Sequence, residues 1–354
     1  MKIFFYHTED VQYIYQGWQR GTFPGHFLYG ATHLAEHGIE MVMRRHHEHG
    51  SRLGMMLDTA RQILFCKERF DAVYATHYKG LELIIFMRAL HLFGKPIIIW
   101  HHQPIITPSK RWREWLGRLF YRGIDEMFFF SRKLVDDSLA TRKARPEHMH
   151  VGHWGPDLDF YDRIISQQGE SRHTGFISTG RERRDMPTLV NAFNETGETV
   201  DIYLNRKNCG IDYEAIFRSL RLRDNVHVHF TEGYQQDKLC IQVYHSLCVV
   251  ICCMETKYTV GLTTVVEAMA LGLPVICSRN PQIPIDFDKE GCGISVPYYD
   301  LEGWKHAVSY IASHPEEAAQ MGRRARELAE SLYNDRKCAA EVAAVIKGTQ
   351  RRQR

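Results

Sequence analysis

The chain has 354 residues, of which 44% are hydrophobic, 12% aromatic and 25% charged, a composition that builds a buried core and excludes a disordered chain. At roughly 100 to 200 residues per domain, the length excludes one small module and predicts two globular domains. The 45 Lys and Arg against 42 Asp and Glu leave a net charge of only +3, too balanced for a general nucleic-acid binder, so no nucleic-acid partner is expected.

Nine cysteines, odd in number and mostly inside apolar runs, show no C-x-x-C spacing, which predicts reduced core thiols and a cytoplasmic protein. The start, MKIFFYHTED, has no apolar h-region, and nowhere do about 18 apolar residues run together, so neither signal peptide nor membrane span is expected.

Along the chain, short β-branched and aromatic runs alternate with amphipathic helical stretches, the pattern of parallel βαβ units and an α/β fold. In the first half, strands are predicted at residues 2–6, 39–44, 72–75, 96–100, 127–130 and 149–154, several of them apolar throughout as strands buried on both faces must be. Phe27, Leu28, Ala31, Leu34 and Ala35 mark one helical face that Gly38 ends. The polar stretch 162–174 reads as a linker. A second series follows, with strands at 175–179, 200–204, 226–230, 247–254, 274–278 and 293–297, and a helix opening at Asp185 and Pro187 and running to Gly197. Residues 315–346 read as helix in two pieces, broken around Tyr333 and Asn334. The expected organisation is a domain over 1–161, the linker, a second domain over 175–334, and a helix with a basic tail over 335–354.

The most informative stretch is 261–277, GLTTVVEAMALGLPVIC. Gly261 and Leu262 turn into a helix through Thr263 and Thr264, with Glu267 on its second turn. Free N–H groups and a positive dipole end then stand beside one carboxylate, which suits a phosphate and the hydroxyls of a ribose. On spacing alone an ordinary βα junction fits as well. The segment resembles the donor-site signature of retaining GT-B glycosyltransferases of the family 4 type (glycosyl transferases group 1), in which an E-x7-E pattern runs into EAMA-x-G-x-PV. Glu267, Ala268, Met269, Ala270, Gly272, Pro274 and Val275 match it, and the match implies that Glu267 binds the ribose of a nucleotide-sugar. Thr259 stands eight residues earlier, where the family often has a glutamate that contacts the sugar, and Glu255 is off register.

Two further stretches carry the resemblance. GFISTGRERRDMPTLVNAF, 175–193, is similar to a segment in which a strand ends in Gly-Arg and a second cation follows; Gly180 and Arg181 match, and Arg184 is the choice for the second cation beside Arg183. Cations there would neutralise a leaving diphosphate, although an RERRD run by itself reads as a solvated turn. VGHWGPDLDFYD, 151–162, resembles the family's hinge, with Gly155, Asp157, Asp159 and Phe160; the two aspartates fit Asx turns better than catalysis or metal.

The first half is less explicit. His101 and His102 follow the strand at 96–100, where polar groups line the ligand crevice of such folds, and the resemblance gives a residue there a sugar contact, for which His102 is preferred. The loop 17–26 resembles a glycine-containing acceptor loop, offering Gly21, Gly25 and His26, and His77 follows another strand end. His46, His47, Glu48 and His49 are expected to be an exposed loop, because adjacent histidines after a strand do not share a face and no distant Cys or His stands at ligand spacing; no metal is expected. Cys252 and Cys253 are expected in the core. Residues 110–122, KRWREWLGRLFYR, form a basic helix with Trp112, Trp115, Leu116, Leu119 and Phe120 on one stripe, which either packs inward or lies on an anionic membrane surface.

The resemblance therefore implies two Rossmann-like α/β/α domains with parallel sheets facing across a cleft, the terminal helix packing back on the first. It implies transfer of a sugar from a UDP- or GDP-sugar to a hydroxyl of a glycan or lipid-linked acceptor, with retention, no metal and no further cofactor, in cell-surface polysaccharide or glycolipid synthesis. The departing phosphate would take the acceptor proton. A non-catalytic nucleotide-sugar binder, favoured by Thr259, and a GT-B epimerase, for which the His-rich first half could supply acid and base, are the rival readings.

Overall fold

The computed structural model describes residues 1–169, 173–231 and 236–353. Two compact units divide the chain: Met1–Gly155 with Asn334–Arg354, and Pro156–Tyr333. In the first unit the elements are β1 (Lys2–Tyr6), α1 (Val11–Arg20), β2 (Glu40–Met43), α2 (Arg52–Leu64), β3 (Ala72–Ala75), α3 (Glu82–Ala89), β4 (Ile97–His101), α4 (Arg111–Arg122), β5 (Glu126–Phe129), α5 (Arg132–Leu139) and β6 (Met149–Val151). The six strands form one parallel sheet in the order β2-β1-β3-β4-β5-β6. Central strands β3, β4 and β5 are buried at every residue, which is why they read as mainly apolar runs, with buried His101 and Glu126 at the ends of β4 and β5, and Trp100 of β4 stacks on Phe128 of β5.

The second unit opens with α6 (Leu158–Gln168) and continues through β7 (Phe176–Ser178), α7 (Met186–Thr196), β8 (Val200–Leu204), β9 (Lys207–Asn208), β10 (Ile211–Asp212), α8 (Tyr213–Ser219), β11 (Val226–Phe230), α9 (Gln236–Tyr244), β12 (Cys248–Ile251), α10 (Leu262–Ala270), β13 (Val275–Ser278), α11 (Phe287–Glu290), β14 (Gly293–Val296), α12 (Leu301–Ser313) and α13 (Pro315–Ser331). Its sheet is also parallel, in the order β11-β8-β7-β12-β13-β14, with β9 and β10 as a small antiparallel hairpin. Helix α7 shows how local chemistry sets an element. The Asp185 carboxylate accepts the Thr188 N–H, Pro187 sits in the first turn, and Gly197 closes the helix at φ 77°. Leu189, Val190 and Phe193 then face the core with Trp304 of α12, each contributing about 1.5–3 kcal/mol by leaving water. Helix α14 (Asp335–Gln353) belongs to the first unit, where a Cβ on Gly30, at φ 78°, would collide with the Ala339 backbone.

Several expectations are corrected. Residues 17–20 are not loop but the end of α1, whose Asp10 cap accepts from Gln12 and Tyr13 and whose Gly21 closes it at φ 70°. The face around Phe27 to Ala35 is carried by two 3-10 segments, Gly25–Leu28 and Ala31–His37, because Gly30 at φ 78° interrupts it. The linker expected at 162–174 is largely helix: α6, capped by Asp157 on the Phe160 N–H, runs to Gln168, while residues 170–172 lie outside the described residues.

Candidate functional site

Strand order locates the crevice of an open parallel sheet, since ligands bind beyond the carboxyl ends of the strands where the order reverses. In the second sheet the chain leaves β7 toward β8 on one side, and later places β12 on β7's other side, so the switch lies between β7 and β12. Residues following β7 are Thr179, Gly180, Arg181, Glu182, Arg183 and Arg184; those following β12 run through Cys253 to Gly261 and into α10. Every donor-side residue expected from sequence is thus on one of the two segments that leave the switch point, or on α10.

Arg184 binds the two segments together. It is 3% exposed, and five N–H bonds occupy its guanidinium: Nε and Nη2 to the Thr179 carbonyl (3.2 and 2.9 Å), Nη1 to the Glu182 carbonyl (3.2 Å) and Cys253 Sγ (3.1 Å), and Nη2 to Thr264 Oγ1 (3.3 Å). An arginine has five such donors, so Arg184 presents a buried positive charge rather than a spare N–H. The two glycines make room for it. A Cβ on Gly180, at φ 96°, would collide with Nη2 of Arg184, and one on Gly261, at φ 91°, would stand 2.7 Å from Ile251 Cγ2 and 3.9 Å from Arg184 Nη1.

Gly261 also opens α10, and no side chain caps that helix. Its first turn carries Leu262, Thr263 and Thr264; the Leu262 N–H, expected to face the ligand, is instead taken by the Thr259 carbonyl (3.2 Å), and the N–H groups of Thr263 and Thr264 with the dipole end meet the Arg184 charge where an anion would sit. One turn on, Glu267 has Oε1 buried with no hydrogen-bond partner among the described residues, although the residue as a whole is half-buried. Burial pushes its carboxyl up to about 7, against the opposing pull of the Tyr161 hydroxyl on α6 and the Arg181 charge. Arg181 is half-buried, and its charge is near enough to be felt by the Glu267 carboxyl. A buried carboxylate oxygen without a donor is costly by about 1–3 kcal/mol or more, and a ligand hydroxyl would remove the cost. Around the rim, Glu182 Oε1 accepts from Tyr258 OH (2.7 Å), and Asn280 Nδ2 donates to the Tyr258 carbonyl (2.9 Å), fixing the segment that carries Thr259. Glu255 is exposed, its N–H held by Tyr299 OH at 3.1 Å. Cys252 and Cys253 are buried, as core thiols should be, and the nine cysteines are free.

The first sheet has its own switch, between β1 and β3, and there the structure adds residues that sequence reasoning passed over. His7 directly follows β1, as His77 follows β3 and His102 follows β4. Rings of His77 and His102 are 5.3 Å apart, and Tyr29 lies 6.2 Å from His7 and 5.7 Å from His102. His102 Nε2–H donates to the Thr76 carbonyl at 2.9 Å, which fixes its tautomer when neutral. Desolvation holds His7 down at about 4 and His77 at about 3, so both are neutral near pH 7. For His7, which the sequence reading passed over, its position right after β1 was the available signal, the same one that picked out His77. Arg44, at the end of β2 and 1% exposed, donates from Nη1 to the His7 carbonyl (3.1 Å).

Four acceptor-side expectations sit elsewhere. His101 is within β4, 2% exposed and stacked on Phe129, with burial pushing it down to about 3; strand alternation turns it into the core and away from His102. His26 is fully buried, stacked on Phe27, and its carbonyl accepts from Trp154 Nε1 (2.9 Å). Gly25 is buried in the same 3-10 turn, and Gly21 is the α1 terminator.

Residues 212–328 match the family profile described as Glycosyl transferases group 1. Over 323 residues the chain is 23% identical to the MMP alpha-(1->4)-mannosyltransferase of Mycolicibacterium hassiacum, an alignment covering 82% of this chain and 73% of that one. Among solved structures it resembles Anabaena HepE in complex with UDP, at TM-score 0.67 and 13% identity over 98% of this chain and 100% of the other. It also resembles sucrose-phosphate synthase from Thermosynechococcus elongatus, at TM-score 0.69 and 15% identity over 98% of each chain. These structural likenesses show the fold, two Rossmann-like units of the GT-B kind. The domain match and the names of the relatives, taken with that fold, support a glycosyltransferase.

Proposed function

We propose that this protein transfers a sugar from a UDP- or GDP-sugar to a hydroxyl of a glycan or lipid-linked acceptor, with retention at the anomeric carbon, as a family 4 type enzyme of cell-surface polysaccharide or glycolipid synthesis. The observation that carries the reading is the pairing of an uncapped α10 N-terminus, at the β7/β12 switch point, with the partnerless buried oxygen of Glu267 one turn further on. The ribose hydroxyls donate to Glu267. The diphosphate lies on the N–H groups of Thr263 and Thr264, above the Arg184 charge for which Gly180 and Gly261 make room. Arg181 meets the outer phosphate directly, and Arg184 acts from beneath as a fixed charge.

In the transfer, the bond from the anomeric carbon to the phosphate oxygen breaks and one to the acceptor oxygen forms on the same face. The acceptor proton passes to the departing phosphate oxygen, whose charge the helix end and the two arginines stabilise. This donor chemistry is metal-independent. His102, with the neutral His77, lines the acceptor side, where imidazoles can orient sugar hydroxyls.

The protein works in the cytoplasm, at the membrane surface. No helix among the described residues is long and apolar enough to cross a membrane. Helix α4 buries no residue, and Trp112 (58% exposed) and Trp115 (65%) stand beside exposed Arg111, Arg113, Arg118 and Arg122, while Phe120 on the other side packs on Tyr78 and Phe86. Two tryptophans ringed by cations suit an anionic lipid surface. Incubation with a panel of UDP- and GDP-sugars and a lipid extract tests the proposal. It predicts a glycosylated acceptor together with free nucleoside diphosphate, whereas tight nucleotide binding without turnover would overturn it.

A further inference from the structure

The segment expected to be an exposed histidine loop converges on a helix. Residues 44–49 leave β2 without regular structure, and His47 and His49 both reach one carboxylate of α2, while His46 does not. Their partner is a carboxylate rather than a distant Cys or His. Asp58 of α2 receives both rings on one oxygen: His47 Nδ1 is 3.1 Å and His49 Nε2 is 3.2 Å from Oδ2. The three atoms lie within 4.8 Å of one another. Gln62, one turn along the same face of α2, fixes the arrangement. Its Oε1 accepts the Arg45 N–H (2.9 Å), and its Nε2 donates to the Arg45 carbonyl (3.1 Å) and to Asp58 Oδ2 (2.8 Å).

We propose that His47 Nδ1, His49 Nε2 and Asp58 Oδ2 form a binding site for a zinc-class divalent cation that fastens the β2–α2 loop to α2. Zinc held tetrahedrally at about 2.0–2.1 Å sets its ligand atoms about 3.3–3.4 Å apart, and two of the three edges here, 3.1 and 3.2 Å, are already at that spacing. Three nitrogen donors also crowd a single carboxylate oxygen that has two lone pairs. A cation between the rings and Asp58 removes that crowding, because the ring nitrogens then turn lone pairs to the metal and Gln62 stays as the outer hydrogen bond to the ligating carboxylate. Two imidazoles and one carboxylate suit zinc and its neighbours better than calcium or magnesium. His47, exposed, leaves the remaining position open to water. The site lies in the first unit and owes nothing to the donor chemistry proposed above.

The test uses the full-length protein without an affinity tag, stripped by chelator and titrated with Co2+ by visible absorption and with Zn2+ by calorimetry. The site predicts one ion per chain and a tetrahedral-type Co2+ spectrum. His49→Ala and Asp58→Asn should each weaken binding more than about tenfold, and Gln62→Ala by about tenfold, as outer-shell partners do. His46→Ala should bind as the unaltered protein does, and Zn2+ should raise the melting temperature of the unaltered protein but not of Asp58→Asn. Circular dichroism establishes that each variant is folded. No Co2+ spectrum, or equal binding by the unaltered protein, His49→Ala and Asp58→Asn, would overturn the site, and so would loss of binding in His46→Ala.

Discussion

Replacing Glu267 with Gln keeps the shape of the side chain and removes its charge, so it should make the ligand-free protein more stable while making it a poorer nucleotide binder. In the folded unit the carboxyl sits at about 7 against an ordinary 4.5. The folded state therefore binds this proton more tightly than the unfolded chain, and stability falls as pH rises through that interval. The loss is complete above about 7 and, at about 1.36 kcal/mol for each pH unit separating the two values, is on the order of 3 kcal/mol. The amide introduced by Glu267→Gln never ionises, so the variant should exceed the unaltered protein by about 3 kcal/mol near pH 8 and by less than about 1 kcal/mol near pH 5. Urea titration read by hydrogen exchange on peptides from β7, β12 and α10 reports the second unit by itself. Binding should move the other way: loss of charge-assisted hydrogen bonds to ribose costs about 1.5–3 kcal/mol, roughly 10- to 100-fold in nucleotide affinity by calorimetry. A variant less stable at both pH values, or one that binds nucleotide unchanged, would refute the placement of Glu267 as a buried ribose ligand.

The remaining predictions address the walls of the same site and the surface of the first unit. Arg184→Ala removes five buried hydrogen bonds and should lower the stability of the second unit by on the order of 3 kcal/mol, with Arg184→Lys restoring only part, whereas Arg181→Ala should spare stability and lower kcat; thermal melts and steady-state kinetics separate the two. Gly261→Ala combines a φ of 91° with a Cβ 2.7 Å from Ile251, so it should cost at least about 1–2 kcal/mol and weaken nucleotide binding in calorimetry. Replacing Trp112 and Trp115 together by Ala should cut co-sedimentation with phosphatidylglycerol vesicles and leave phosphatidylcholine vesicles, which bind poorly, unaffected; equal binding by both proteins would detach α4 from the membrane.

Strand positions were legible because a strand covered on both faces shows itself as an apolar run, as in IIIWH of β4. Strand order is not written in such runs, so the two switch points, which decide where Gly180 and His7 stand, appear only in the folded sheets. Helix α1 escaped notice because Gly17 lies within it; a Cβ there would stand 2.9 Å from Phe23 Cβ, so a packing need overrides helix propensity. The RERRD run disclosed its cations but not their fates. Arg184 is buried because two glycines and Cys253 make a socket for it, a long-range arrangement that charge alone cannot encode. The adjacency of His46 and His47 argues against a shared face, whereas the meeting of His47 and His49 depends on an aspartate nine residues beyond His49 on another element.

Product analysis tests the central claim most directly. Incubated with labelled UDP- and GDP-sugars and extracted lipid or glycan acceptor, the protein should release nucleoside diphosphate in step with a labelled acceptor whose new linkage keeps the donor's anomeric configuration, and Glu267→Ala should abolish both together. A nucleotide-sugar recovered intact, or recovered as an epimer with no acceptor labelled, would contradict the account.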